Sequence, residues 1–202
     1  MEIDEELISG CKKFRREAQE ALYKLAAPML KAICMRYSND IYEAEDSLHE
    51  GFMKIFVKID QYKGNGSFEG WMKKIILNSA INNYNKKRLK LINHDQITDD
   101  YPETESEEEN DISISNNLKY TIQNTEFTND EMNEAINALP QGYRVVFKLF
   151  AIEGLKHGEI ANILKIKEST SKSQLVRARK LLQKKLYELA ISKINQENQN
   201  NG

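Results

Sequence analysis

The stretch HGEIANILKIKESTSKSQLVRARK, from His157 to Lys180, decides how the chain is read. A short helical pattern over His157–Leu164 is followed by a turn at Lys165-Ile166-Lys167 and a longer pattern from Ser169 to about Ile191. In the longer one Leu175, Ala178, Leu182 and Leu186 recur every three or four residues, which gathers them on one inward face. Lys172, Ser173, Val176, Arg177 and Lys180 then point outward. Ser169 or Thr170 is placed to cap the start, directing free backbone N–H groups at a phosphate. A short helix, a tight turn and a longer basic helix make a helix-turn-helix, whose second helix enters the DNA major groove. Such spacing also occurs in small helical domains that never touch DNA, so charge has to discriminate. Residues 141–193 carry 12 Lys+Arg against 4 Asp+Glu, a surplus that suits a polyanionic partner.

Upstream, helical patterns at about Asn129–Leu139 and Gly142–Glu153 are punctuated by Pro140 and Gly154. Before them, from about Asp95 to Asp130, the periodicity disappears. Asp, Glu, Asn, Ser and Thr take over, including Glu105-Ser106-Glu107-Glu108-Glu109, and residues 95–140 hold 13 Asp+Glu against one Lys. So little apolar surface cannot offset the entropy of ordering the chain, and a flexible linker is expected. The first block is helical again. Phe14, Ala18, Leu22, Leu25, Met29 and Ile33 step by three or four, predicting one buried stripe on a long helix. A second helix over Tyr42–Ile59 turns Leu48, Phe52, Ile55, Phe56 and Ile59 inward. Lys63-Gly64-Asn65-Gly66-Ser67 breaks the pattern as a loop. A third helix runs from Phe68 or Glu69 to near Leu91, with Trp71, Ile75, Leu77 and Ile81 on its apolar face.

The net charge of -2 conceals a basic, acidic, basic partition, since residues 1–94 hold 16 Lys+Arg against 13 Asp+Glu. Across 202 residues, 40% hydrophobic and 30% charged content describes a soluble chain of one ordinary or two small domains. No apolar run approaches the roughly 20 residues of a membrane span. The acidic start at Glu2, Asp4, Glu5 and Glu6 has the wrong sign for a secretory signal, so a cytoplasmic location without membrane insertion is expected. Cys11 and Cys34 stand far apart in helical patterns and are expected as buried small apolar residues. His49, His94 and His157 are dispersed, His49-Glu50 lacks the second histidine of a zinc-protease helix, and no Gly-Lys-Ser/Thr phosphate loop occurs. No catalytic residue, metal or cofactor is therefore expected.

Two clusters in the first block suggest partners. Gly70 to His94 contains Lys73, Lys74, Lys86, Lys87, Arg88 and Lys90 and no acid, which points to a phosphate backbone. Glu43, Glu45, Asp46 and Glu50 crowd one helix, and Tyr42, Asp46 and Glu50 follow one another at single-turn spacing. That gives either a solvated face or a negative patch beside an aromatic.

Ala138-Leu139-Pro140-Gln141-Gly142-Tyr143-Arg144, Glu153-Gly154-Leu155-Lys156-His157-Gly158-Glu159-Ile160-Ala161 and Thr170 through Arg179 resemble the promoter-binding domain of extracytoplasmic-function sigma factors of bacterial RNA polymerase, in the sigma-70 family. Tyr42 through Phe52 resembles the family's polymerase-binding helix, and Phe68 through Asn78 its minus-10 element. The three clusters stand in the family's order over most of the chain.

The resemblance implies that Glu43, Glu45, Asp46, His49 and Glu50 meet core RNA polymerase at the clamp helices of its largest subunit. The flap of the second subunit is implied as a further contact. It places Lys63, Asn65, Ser67, Phe68, Lys74, Asn78, Lys86 and Arg88 on promoter DNA, with the loop and the Asn78 amide forming a pocket for an extruded base. Trp71 supports the core first and contacts a base second. Thr170, Lys172, Ser173 and Arg177 face the minus-35 element, and Arg144 is either a phosphate contact or a surface residue. The acidic linker either threads toward the RNA exit channel as an RNA mimic or is a plain tether. An anti-sigma factor is a further partner of the family, although nothing in the chain identifies one.

The expected fold is all-α, with two helical domains: 1–94 as sigma region 2, 95–130 as the flexible acidic linker, 131–193 as the sigma region 4 helix-turn-helix, and 194–202 as a disordered tail. The expected function is promoter recognition and melting as an initiation subunit, not enzymatic chemistry. An autonomous helix-turn-helix regulator would leave the acidic helix and the aromatic basic element unexplained. A sigma-like adaptor without DNA binding would leave the basic recognition helix unexplained.

Overall fold

The first helix, α1 (Glu5–Lys12), starts where Asp4 accepts the Leu7 N–H at 2.8 Å, a standard N-cap bond. It ends in a chain reversal in which Phe14 N–H donates to Cys11 O and Arg15 N–H to Gly10 O, both at 3.0 Å, with Phe14 at φ +54°. The spacing predicts Phe14 at the head of a buried stripe; instead it forms this corner and is 67% exposed. Gly10 allows the sharp turn, because a Cβ there would press on that of Ala18 at 2.7 Å. The buried stripe of α2 (Arg16–Tyr37) is Leu22, Ala26, Leu30, Ile33, Cys34 and Tyr37.

The computed structural model describes residues 3–94 and 112–200, and two units fall within Met1–Asp99 and Asp100–Gly202. In the first unit Asp40 caps α3 (Ile41–Lys58) through Glu43 N–H at 2.8 Å, and a 3-10 turn follows at Ile59–Gln61. Helix α4 (Phe68–His94) packs on both α2 and α3. It buries Phe68, Met72, Ile76, Leu77, Ala80, Ile81 and Tyr84, while Trp71 and Ile75 are only half-buried. The buried face is therefore turned from the expected one, because α4 lies in the groove between two helices instead of over one. Cys11 and Cys34 are free and buried; burial pushes the Cys34 thiol up to about 11 and also raises that of Cys11.

The second unit holds α5 (Ile112–Gln123), α6 (Asn129–Asn137), α7 (Gln141–Phe147), a π turn at Lys148–Ile152, α8 (His157–Leu164) and α9 (Glu168–Asn200). Thr128 and Glu131 cap α6 reciprocally: Glu131 N–H donates to Thr128 Oγ1 at 3.2 Å and Thr128 N–H to Glu131 Oε2 at 2.8 Å. Ala135, Leu139, Tyr143, Ala178, Leu182 and Leu186 form a core cluster, with Ile122, Phe127, Met132, Ile136, Phe147 and Leu189 around it.

Two expectations change here. Residues 112–123, read as linker, are helical, and Ile122 and Phe127 pack on the core, so sparse apolar residues within an acidic region still find a surface to cover. The tail expected from residue 194 continues α9 through Asn200, with Lys193 anchoring that end to Glu131 Oε2 and Glu126 O, each at 2.8 Å. Residues 95–111, with Glu103, Glu105, Glu107, Glu108 and Glu109, lie outside the described residues, as do Asn201 and Gly202.

Gly51 on α3 sets how closely α4 approaches, because a Cβ there would fall on Ile76 Cδ1. Gly51→Ala should destabilise the first unit by about 1–3 kcal/mol in urea or thermal unfolding. Adding Ile76→Val, which removes the obstructing methyl, should make the double loss smaller than the sum of the two single losses. Strict additivity would contradict this packing.

Candidate nucleic-acid interface

The helix-turn-helix is built as its spacing predicts. Leu175, Ala178, Leu182 and Leu186 of α9 are buried, and Lys172, Ser173, Val176, Arg177 and Lys180 are exposed. The turn is made at Lys165, whose φ of +56° ends α8, with Ile166 N–H donating to Ala161 O at 3.1 Å. Because α9 begins at Glu168, Ser169 and Thr170 sit inside its first turn and not at the cap. Thr170 O accepts from Ser173 Oγ at 3.1 Å, and Thr170 is half-buried. Lys172 Nζ pairs with Glu168 Oε1 at 2.7 Å, and that hydrogen bond holds the Glu168 carboxyl below the usual range. The ammonium is thus pre-positioned at the head of the basic face. Arg144 donates to Asn137 O, satisfying a carbonyl at the end of α6, so its first task is structural.

Sequence reasoning missed the residues that orient α9. Ser171 is fully buried, and its hydroxyl lies 2.9 Å from His157 Nδ1. The His157 ring stacks on Phe150 at 5.0 Å, and the Arg179 guanidinium sits 5.4 Å from the same Phe150 ring. The signal was legible: Ser171 is a polar residue on the stripe that continues through Leu175 and Ala178.

In the first unit the Lys63–Ser67 loop turns through Gly64 at φ +79° and Gly66 at φ +88°. Tyr62 Oη donates to Gly66 O at 2.7 Å, and Ser67 Oγ accepts Gly70 N–H at 3.0 Å, joining the loop to α4. Tyr62, Phe68 and Trp71 form an aromatic base under it, with centroids 5.0 to 5.8 Å apart. Lys63 and Asn65 are exposed at its tip, and Phe68 is buried. Trp71, Lys74 and Asn78 share one face of α4 at positions i, i+3 and i+7. Asn78 lies about 15 Å along that helix from Phe68 at the standard rise, so it belongs to the helix face and not to the loop. Lys86 is exposed further along; the Arg88 side chain lies outside the described residues.

The acidic cluster on α3 is not an open negative patch. Glu43 pairs with Lys87 of α4, Glu45 Oε1 with Lys31 Nζ of α2 at 2.8 Å, and Glu50 with Lys86 of α4 at 3.7 Å and Lys54 at 3.9 Å. Asp46 and His49 remain exposed, the latter with its ring 6.2 Å from that of Tyr23. Around them Tyr42, Met53 and Val57 are 76%, 66% and 73% exposed, giving an outward stripe of apolar groups with one carboxylate and one imidazole. Met53 and Val57 were overlooked because they fall off the inward stripe.

The Glu43 carboxyl is held below the usual range by the Lys87 hydrogen bond and then by the Asn39 N–H. A depressed carboxylate pKa stabilises the fold above the ordinary carboxylate value, and this contribution is lost as pH falls through the folded value. Lys87→Gln should therefore cost the unit about 0.5 kcal/mol at neutral pH, with the gap from wild type closing below pH of about 4. A gap that persists in acid would contradict the pairing.

Comparison with known proteins reports on both units. Residues 22–89 match the family model "Sigma-70 region 2" and residues 129–182 match "Sigma-70, region 4", more than half of the chain together. The chain is 29% identical over 196 residues to the ECF RNA polymerase sigma factor SigW of Bacillus subtilis, covering 90% of this chain and 96% of that one. It is 24% identical over 191 residues to the RNA polymerase sigma-H factor of Pseudomonas aeruginosa, covering 93% and 96%. Among solved structures, the sigma factor RpoE in complex with the anti-sigma factor NepR from Bartonella quintana is 21% identical, with a TM-score of 0.49, covering 83% of this chain and 95% of that one.

Proposed function

The chain belongs to the extracytoplasmic-function class of the sigma-70 family of RNA polymerase sigma factors, and from that premise we propose how its residues divide the work of a promoter-specificity subunit. What supports the assignment best is that one unit carries a basic run without acids from Gly70 to His94 beside a glycine loop, while the other presents a basic helix-turn-helix face.

In this reading residues 1–94 act as sigma region 2 and residues 131–193 as region 4, with α5 and the end of α9 as additions to the second. The α3 stripe of Tyr42, Asp46, His49, Met53 and Val57 docks on the clamp helices of core polymerase. Apolar contact supplies affinity there, and Asp46 sets register against a basic partner. Glu43, Glu45 and Glu50 act indirectly, by holding α3 against α2 and α4. Lys63, Asn65 and Ser67 of the loop, with Lys74, Asn78, Lys86 and Arg88, serve the minus-10 region. Backbone and amide groups there read an extruded base, and the cations hold phosphates. Phe68 and Trp71 support the loop from below. In the second unit Lys172, Ser173 and Arg177 face the minus-35 duplex, and Thr170 positions Ser173.

Phosphodiester chemistry is left to the polymerase, so no catalytic residue is assigned, and the chain works in the cytoplasm beside that enzyme. Among the described residues no helix is long and apolar enough to cross a membrane. An anti-sigma factor acting on this chain would cover the α3 stripe or the α9 face, since those surfaces carry its two partners.

Run-off transcription from a random promoter library with purified core polymerase tests the assignment. The chain should select a shared two-part element, and a promoter fragment should shift in a gel only when core is present. Arg177→Ala should weaken selection by about 1–3 kcal/mol, roughly five- to 150-fold, and relax preference at one minus-35 position. A chain that shifts duplex DNA equally well without core would overturn the reading.

A further inference from the structure

We propose that the corner between α1 and α2, Lys12-Lys13-Phe14-Arg15-Arg16, is a second contact for unpaired promoter DNA. Phe14 stacks on an extruded base, and Lys13, Arg15 and Arg16 neutralise the adjoining phosphates. The inference rests on the promoter-opening role proposed for the first unit and adds a site to it.

Neither the core nor the backbone calls for a phenylalanine at this place. The Phe14 ring is two-thirds exposed, so it is not buried for stability. Its φ of +54° lies in the region that L side chains rarely adopt, and it occupies the helix-ending position where glycine is the ordinary choice. Elsewhere in the described chain Gly64, Gly66 and Gly154 fill the positive-φ positions, with Lys165 the other exception. A large aromatic held out on a rigid reversal, at some conformational cost, is better explained by what it meets.

The surroundings specify the ligand. Four of the five residues in the corner are cationic, and Lys13, Arg15 and Arg16 are exposed with no ion-pair partner among the described residues. The acids nearest before the corner, Glu5 and Glu6 of α1 and its cap Asp4, lie at the other end of that helix, and Glu17 is the first that follows. An aromatic tip flanked by cations is the pattern that binds single-stranded nucleic acid, because every unpaired base offers a π face and every linkage a phosphate. Intact duplex offers no such face to a side chain standing on its own.

The position agrees with that chemistry. Lys12 Nζ donates to Tyr62 O at 3.2 Å, and α1 packs against the Ile59–Gln61 turn, so the corner is fastened to the segment that leads directly into Lys63 and the glycine loop. Tyr62 also holds that loop through Gly66 O and supports Phe68 and Trp71. One residue thus joins the corner to the loop proposed for the extruded base. A strand opened at the loop passes beside the corner, where Phe14 would take a neighbouring base.

The decisive comparison uses holoenzyme assembled from core polymerase and the full chain, with the lifetime of the open promoter complex as readout. Phe14→Gly suits the backbone, so a loss in that variant cannot be assigned to misfolding. It should shorten the lifetime roughly tenfold, the worth of one base stack, while affinity for core stays at the wild-type value. Phe14→Trp should restore the lifetime. Arg15→Gln with Arg16→Gln should lower the salt slope of open-complex stability by about 1 to 2. An unchanged Phe14→Gly lifetime would overturn the site. So would a loss of core affinity, which would make the corner a polymerase contact, or a Phe14-dependent binding to anionic vesicles with no effect on the open complex. Failure of the wild-type holoenzyme to open any promoter would instead remove the promoter-opening role itself.

Discussion

The close packing of α3 on α4 is the constraint from which the working surfaces of the first unit follow. Gly51 lets Ile76 approach, and Glu43–Lys87 and Glu50–Lys86 pair across the same seam. Exposed pairs of this kind contribute little energy each. Their larger effect is geometric, because they fix which side of each helix is spent internally. What α3 has left to offer is the stripe through Tyr42, Asp46, His49, Met53 and Val57. What α4 offers is the face bearing Trp71, Lys74 and Asn78, continued by the loop that precedes it. The surfaces proposed for polymerase and for DNA therefore belong to one small packed unit. In the proposed division of work, docking the first fixes the orientation of the second.

The second unit solves a related problem with different means. A recognition helix must present its cations at a set angle, and α9 is held along its length. Ser171 and His157 tie its first turns to α8, and Arg179 and Phe150 add a stacked contact. Lys193 anchors the far end to the capped start of α6. Helix α5 lies along α9 and belongs to the same packing although it precedes the matched region 4 residues. Basic side chains at Lys172 and Arg177 are thus mounted on a scaffold instead of on a free helix.

How much could be read beforehand depended on whether the determining contact was local. Leu175, Ala178, Leu182 and Leu186 were legible because their spacing alone assigns the face. Phe14 misled because Phe14, Ala18 and Leu22 keep helical spacing across a chain reversal, and periodicity does not register backbone sign. Helix α5 was hidden by the acidic composition around it, although Ile122 and Phe127 were there to be packed. The sequence left the acids of α3 as either a solvated face or a negative patch, since the partners Lys86 and Lys87 of Glu50 and Glu43 stand a whole helix away in sequence. Trp71, expected on the buried face, is only half-buried while Met72 is buried, because α4 lies in the groove between α2 and α3. Family likeness supplied the expected interfaces, and the fold shows which of the expected side chains are exposed.

The central claim is that two DNA-reading surfaces on one chain address a single promoter only while the polymerase holds them at a set separation. Transcription by the holoenzyme from promoters that differ only in the length between the minus-35 and minus-10 elements tests it most directly. The account predicts a narrow optimum, with activity lost when about five base pairs, half a helical turn, are inserted. Activity that stays level across such insertions would contradict it.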